Sequence, residues 1–106
     1  MVNDSAFEIL NAPLVRQHLS AIDQKYYSLI REATLEHMSY DPDRNTGNKK
    51  PLKRPAQIGV QWELRCGPNY RFRILYQADR VRLEVLILAI GEKRGSRLIL
   101  GDEEAI

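Results

Sequence analysis

From position 60 to position 77 apolar and polar side chains alternate, as expected for strands with one face against a core, because successive side chains of an extended chain point to opposite sides. In the first run Val60, Trp62, Leu64 and Cys66 share one side, and Gln61, Glu63 and Arg65 the other. In the second, Tyr70, Phe72, Ile74 and Tyr76 share one side, and Arg71, Arg73, Leu75 and Gln77 the other. The turn signals Gly67-Pro68-Asn69 and Ala78-Asp79-Arg80 separate these runs, so strands are predicted over 58–66, 70–78 and 81–90. Connections this short join neighbours into an antiparallel meander.

Upstream, residues 6–10 suit a short first strand, and Pro13 suits the first turn of a helix after it. Ser20 and Asp23 have capping-box spacing, with Asp in place of the commoner Glu, which predicts a second helix from near residue 21. Ile22, Tyr26, Ile30, Ala33 and Met38 recur at nearly helical spacing, so one face of this helix should lie on the sheet, and Asp41-Pro42 ends it. Residues 40–59 hold four prolines or glycines before Gly59 and five Lys or Arg side chains, and read as a long basic loop. Residues 91–106 fit either a fourth hairpin strand or irregular structure. The fold class is therefore α+β: an N-terminal strand and a two-helix hairpin packed on a twisted antiparallel sheet with a three-stranded C-terminal meander.

Length and composition narrow the classes. A chain of 106 residues makes one domain, spanning 1–106, and 43% apolar with 28% charged residues excludes disordered and collagen-like chains. The apolar stretch 83–90 falls far short of the roughly 20 residues that span a bilayer. Asp4 and Glu8 stand where a secretion signal needs a basic and then an apolar segment, and Cys66 alone permits no intrachain disulfide, so a cytoplasmic chain is expected.

Charge adds more. The net +2 conceals −4 over residues 1–43, +9 over residues 44–97 and −3 over residues 98–106. Clustered Lys and Arg suit a polyanion, though a solvated basic surface has the same composition. Alternation gathers Glu63, Arg65, Arg71 and Arg73 on the face away from the helices, close to the loop cations Lys49, Lys50, Lys53 and Arg54. Cross-strand Glu–Arg pairs account for part of this. Three arginines near one carboxylate exceed what pairing requires, which favours a phosphate site. His18 and His37 lie in the helical part, away from that face, and Cys66 falls beside Trp62 and Leu64 without a histidine, so none of the three is assigned chemistry. Two isolated His and one Cys make no convincing metal-ligand set, and no cofactor is expected.

The order of elements, with Pro51-Leu52-Lys53, Trp62-Glu63-Leu64-Arg65, Tyr70-Arg71-Phe72-Arg73-Ile74-Leu75-Tyr76 and Leu88-Ala89-Ile90-Gly91-Glu92-Lys93, resembles the RelE/ParE superfamily of toxins from bacterial type II toxin–antitoxin modules. The resemblance covers almost the whole chain. RelE-like members cut mRNA on the ribosome without a metal, through the ribose 2′-hydroxyl, ParE-like members poison DNA gyrase, and both are held inactive by a cognate antitoxin. The resemblance implies that Arg71 stabilises the scissile phosphate and that Lys53 serves as the basic loop residue. The glutamate used as base by one branch, three residues before the loop lysine, is Lys50 here, and the terminal tyrosine or histidine of many RNA-cutting members is missing from 97–101. The expectation is a ribosome-dependent mRNA endoribonuclease or, alternatively, a gyrase-binding toxin or a weakened relative that only binds its antitoxin. Arg71, Glu63 and Arg73 are the candidate catalytic residues, with Glu63 as base. Lys49, Lys50, Lys53, Arg54, Arg65, Lys93 and Arg94 are candidate RNA contacts, with Lys93 able to protonate the leaving 5′-oxygen.

Overall fold

The computed structural model describes residues 5–52 and 59–105. Its elements run β1 (Glu8–Asn11), α1 (Leu14–Ser20), α2 (Tyr27–Met38), β2 (Lys49–Pro51), β3 (Trp62–Cys66), β4 (Phe72–Asp79), β5 (Glu84–Arg94), β6 (Arg97–Leu100) and β7 (Glu103–Ala105). Strands β2 to β7 follow one another in space in chain order, each antiparallel to the next. The long β5 organises the sheet. β4 runs along one of its edges, while the other edge is divided between β1, parallel over Glu84 to Ile87, and β6, antiparallel over Gly91 to Arg94.

The helices cover one face of this sheet. Leu64, Cys66, Phe72, Ile74, Tyr76, Val85, Ile87 and Ile90 from the strands pack with Val15, Ile22, Ile30 and Met38 from the helical layer. Alternation along β3 and β4 thus places the core where the sequence pattern put it, and Trp62 stacks on Tyr76 at the margin, ring centroids 6.5 Å apart. β5 departs from simple alternation. Tyr76 pairs with Ile87 but Leu75 pairs with Ala89, so Leu88 is an extra residue, a β-bulge that switches the face presented by each later position. Beyond it Ile90 and Glu92 share the helix-covered face, opposite Ile74 and Phe72.

Several elements differ from expectation for identifiable reasons. The Ser20–Asp23 capping box does not form. Ser20 Oγ donates to the Gln17 carbonyl, while the Asp23 carboxylate accepts from the Lys25 N–H and caps a short 3₁₀ turn, Gln24–Tyr26, that leads into α2. The stretch read as loop contains β2, which extends the sheet beyond β3. β1 adds to the sheet in parallel, so the sheet is mixed rather than wholly antiparallel. The tail forms two more strands, β6 and β7.

The strand predicted from residue 70 starts at Phe72. Gly67 at φ 84° begins a 3₁₀ turn, Pro68–Tyr70, in which Asn69 and Tyr70 are left-handed at φ 54°, so alternation cannot be carried back through Tyr70 and Arg71. Tyr70 is accordingly exposed rather than in the core. No helix among the described residues is long and apolar enough to cross a membrane.

Candidate functional site

The helix-free face of β3 and β4 carries the first cluster. Lys50 stands opposite Glu63, and Arg65 opposite Arg73, in the ladder β2–β3–β4. Residues facing each other across a ladder share a sheet face, so all four side chains lie on it, with Lys50 Nζ donating to Asn45 Oδ1 at 3.4 Å. Glu63 Oε1 accepts from Arg65 Nε at 2.8 Å and from Arg73 Nη1 at 3.2 Å. The Glu63 and Arg73 side chains are only 12% and 13% exposed, whereas Arg65 retains 37%. Arg73 also donates from Nε to the Tyr70 carbonyl, which fixes its plane, and it lies opposite Gly91 of β5. Two guanidinium groups on one carboxylate hold it in place through charge-assisted hydrogen bonds. This is a charged, pre-oriented patch able to bind a phosphate and accept a proton beside it.

Arg71 belongs to a different place. Its Nε donates to Glu92 Oε2 at 2.5 Å and its Nη1 to the Tyr26 hydroxyl at 3.0 Å. The guanidinium stacks over the Tyr26 ring, 4.9 Å from the centroid. Tyr26 precedes α2 and its ring packs against Phe72, so Arg71 lies on the helix side of the sheet, not beside Glu63 as alternation predicted. The hydrogen bond that Arg71 donates to Glu92 raises the Arg71 pKa further above an already basic value. Arg94 Nη2 reaches Glu92 Oε1 at 3.2 Å, and the Lys93 N–H donates to the Arg71 carbonyl. Pro68, Asn69, Arg71, Lys93 and Gly95 line a cleft of about 290 Å³ at this corner.

The remaining predicted residues divide. Lys49 is 4% exposed, because pairing with Leu64 turns its side chain onto the helix-covered face. There Nζ donates to the carbonyls of His37 and Asp41, at 2.9 and 2.5 Å, and burial lowers its pKa against the opposing charge of Asp41. It ties the end of α2 to the sheet and is closed to RNA. Lys53 and Arg54 lie outside the described residues. Burial pushes the Cys66 thiol up to about 11, consistent with a core residue rather than a nucleophile. Among the described residues no group of three or more His, Cys, Asp or Glu is placed to hold a metal ion.

Sequence reasoning missed Glu92, Tyr26 and His18. Glu92 carried no usable signal, since apolar residues occupy both parities from 85 to 90 and only the bulge decides its face. His18 Nδ1 accepts the Ile90 N–H at 3.2 Å, on the edge of β5 between the segments paired with β1 and β6. Burial lowers its pKa, with Glu103 opposing. A separate apolar groove of about 400 Å³ runs between the helices and the sheet, lined by Ile9, Val15, Leu19, Ile30, Leu35 and Ile87 among others.

No family model matches this sequence, and no curated protein matches it significantly. Among solved structures, a chain of the RelBE2 toxin–antitoxin complex from Mycobacterium tuberculosis superposes with a TM-score of 0.69 at 20% identity, over 88% of this chain and 98% of that one. At that identity the likeness speaks for architecture, and the architecture is RelE-like: α+β, with the helices on one face of the sheet and the Glu63 cluster on the other.

Proposed function

We propose that this chain is the toxin of a type II toxin–antitoxin module and acts as a metal-independent endoribonuclease on ribosome-bound mRNA. The observation that carries the reading is Glu63, a carboxylate held between Arg65 and Arg73 on the helix-free face of a RelE-like sheet. Glu63 takes the proton from a ribose 2′-hydroxyl, whose oxygen attacks the adjacent phosphorus. Arg73 and Arg65 offset the charge that builds on the equatorial oxygens. The P–O5′ bond breaks to leave a 2′,3′-cyclic phosphate, and the departing 5′-oxygen takes a proton, for which Lys93 is the candidate donor. Lys50 and Arg94 contact neighbouring phosphates, and the corner at Arg71 binds the strand beyond the scissile bond. The apolar groove beside α1 and α2 suits side chains of an antitoxin segment that keeps the toxin silent.

The test is induction in cells without antitoxin, followed by mapping of transcript ends and DNA breaks. Codon-phased RNA ends are expected. Arg73→Ala should slow cleavage by roughly 30- to 1000-fold, the effect of removing about 2 to 4 kcal/mol of charge stabilisation in the transition state. Glu63→Gln should abolish cleavage while the fold persists, and full toxicity in either variant at equal abundance would overturn the assignment. A second reading, a toxin that binds gyrase by protein contact, draws on the pairing of Arg65, Arg71 and Arg73 with internal carboxylates. Gyrase-linked DNA breaks without RNA ends would select it.

A further inference from the structure

Arg71 presents a flat edge of donors, Nε and Nη2, and both point at one oxygen of Glu92. That edge is the one with which a guanidinium grips two oxygens of a phosphate. Arg94 holds the second oxygen of the same carboxylate. The burial is lopsided. The Glu92 side chain is 8% exposed, whereas Arg71 and Arg94 retain 42% and 61%, so the cations face solvent and the carboxylate lies beneath them. Lys25 stands over the same Tyr26 ring as Arg71, 5.2 Å from its centroid, and Lys93 lines the adjoining cleft. Two guanidinium groups thus meet the one carboxylate, with two lysines nearby at the same corner.

We propose that Glu92 acts as an internal substitute for phosphate: it occupies the donor edge of Arg71, and a phosphodiester binds this corner only by drawing the guanidinium away from it. Glu92 thereby weakens the binding of nucleic acid at rest. The inference rests on the reading of Arg71 as a phosphate-binding residue and assigns the regulation of that site to this chain's own side chain. A phosphodiester is favoured over an acidic peptide by the aromatic surfaces among the cations. The Tyr26 ring lies against the guanidinium and the exposed Tyr70 immediately precedes Arg71 in the chain, a combination that suits single-stranded nucleic acid.

The test is fluorescence anisotropy at low salt with the full chain and a short 2′-O-methyl oligoribonucleotide, which cannot undergo transesterification. Glu92→Gln should bind about tenfold more tightly, the effect expected from freeing one charge-assisted contact. Glu84→Gln, at the other end of β5, makes the same change in net charge and should show little of the gain. Adding Arg71→Ala to Glu92→Gln should abolish it. Binding by folded Glu92→Gln no tighter than by Glu84→Gln would overturn the proposal, as would a gain that survives loss of Arg71. A gain for a short glutamate peptide but not for the oligonucleotide would overturn the choice of ligand. Should Glu92→Gln fail to fold, Glu92→Asp decides, since drawing the carboxylate back by one methylene should tighten binding to a lesser degree, and unchanged affinity in that folded variant would overturn the idea. Wild-type protein inert toward transcripts, together with a tenfold gain in Glu92→Gln, would refute the nuclease reading alone. Cleavage that depends on Glu63, without the gain, would refute this proposal alone.

Discussion

Lys49 shows how a single register position decides a residue's role. Its neighbour Lys50 stays on the charged face with Glu63, while Lys49, one step along, is carried under α2 and satisfies the carbonyls of His37 and Asp41. The Tyr76 hydroxyl donates to the Pro42 carbonyl beside it, so two buried donors fix the turn that leaves the helix. Lys49→Met keeps the apolar stem and removes the donor, leaving both carbonyls without it. We expect a loss of about 2 to 3 kcal/mol in urea denaturation, since an unmet buried polar group costs about 1 to 3 kcal/mol. The salt dependence of oligonucleotide binding by the same variant should not change, because Nζ never meets a phosphate; a reduced slope would return Lys49 to the RNA contacts.

Among the elements, the pairing of β5 with β6 depends on Gly91 having no side chain. A Cβ there would lie 2.5 Å from Leu100 Cδ2, 2.8 Å from Leu98 Cδ1 and 3.0 Å from the Ile99 carbonyl oxygen. The leucine ends can rotate away, but the carbonyl belongs to the strand backbone. Gly91→Ala should therefore cost about 1 to 3 kcal/mol through overpacking. Hydrogen exchange should show β6 and β7 losing protection while β3 and β4 keep theirs; a uniform loss would mean that the damage spreads through the whole sheet. What could be read from the sequence also divides by element. The alternation from Trp62 to Cys66 and from Phe72 to Gln77, and the helical spacing of Ile30, Ala33 and Met38, reveal the core because each depends on local geometry. Hence Glu63, Arg65 and Arg73 were legible as one cluster. Arg71 was not, because left-handed residues at Asn69 and Tyr70 break the alternation just before it. Glu92 and the parallel docking of β1 depend on a bulge and on pairing between distant segments, neither of which leaves a periodic trace.

For the molecule as a whole, His18 joins parts that are far apart in the chain. From α1 it accepts the Ile90 N–H, and its ring lies where a side chain on Gly101 would touch it, so it binds the first helix to the last strands. Accepting through Nδ1 requires that nitrogen to be unprotonated. Because the folded pKa lies below the ordinary 6.5, the unfolded chain takes up the proton first as pH falls, and folding must then work against that uptake. The stabilisation is present above about pH 6.5 and declines below it. Wild-type urea midpoints between pH 7.5 and 5 should fall faster than those of His18→Gln, which cannot titrate; parallel curves would remove His18 from this role.

The place of β5 in the chain also has a consequence in time. β1 and α1 are synthesised well before the backbone partners that hold them, Ile87 and Ile90 among them. β1 therefore waits for β5, more than 70 residues later, and its docking is a long-range closure. A product interrupted before residue 84 would possess Glu63, Arg65 and Arg73 but lack the strand that flanks β4, seats β1 and supplies Glu92. For a chain proposed to arrest translation, this order of assembly means that the fold closes only after β5 has been made.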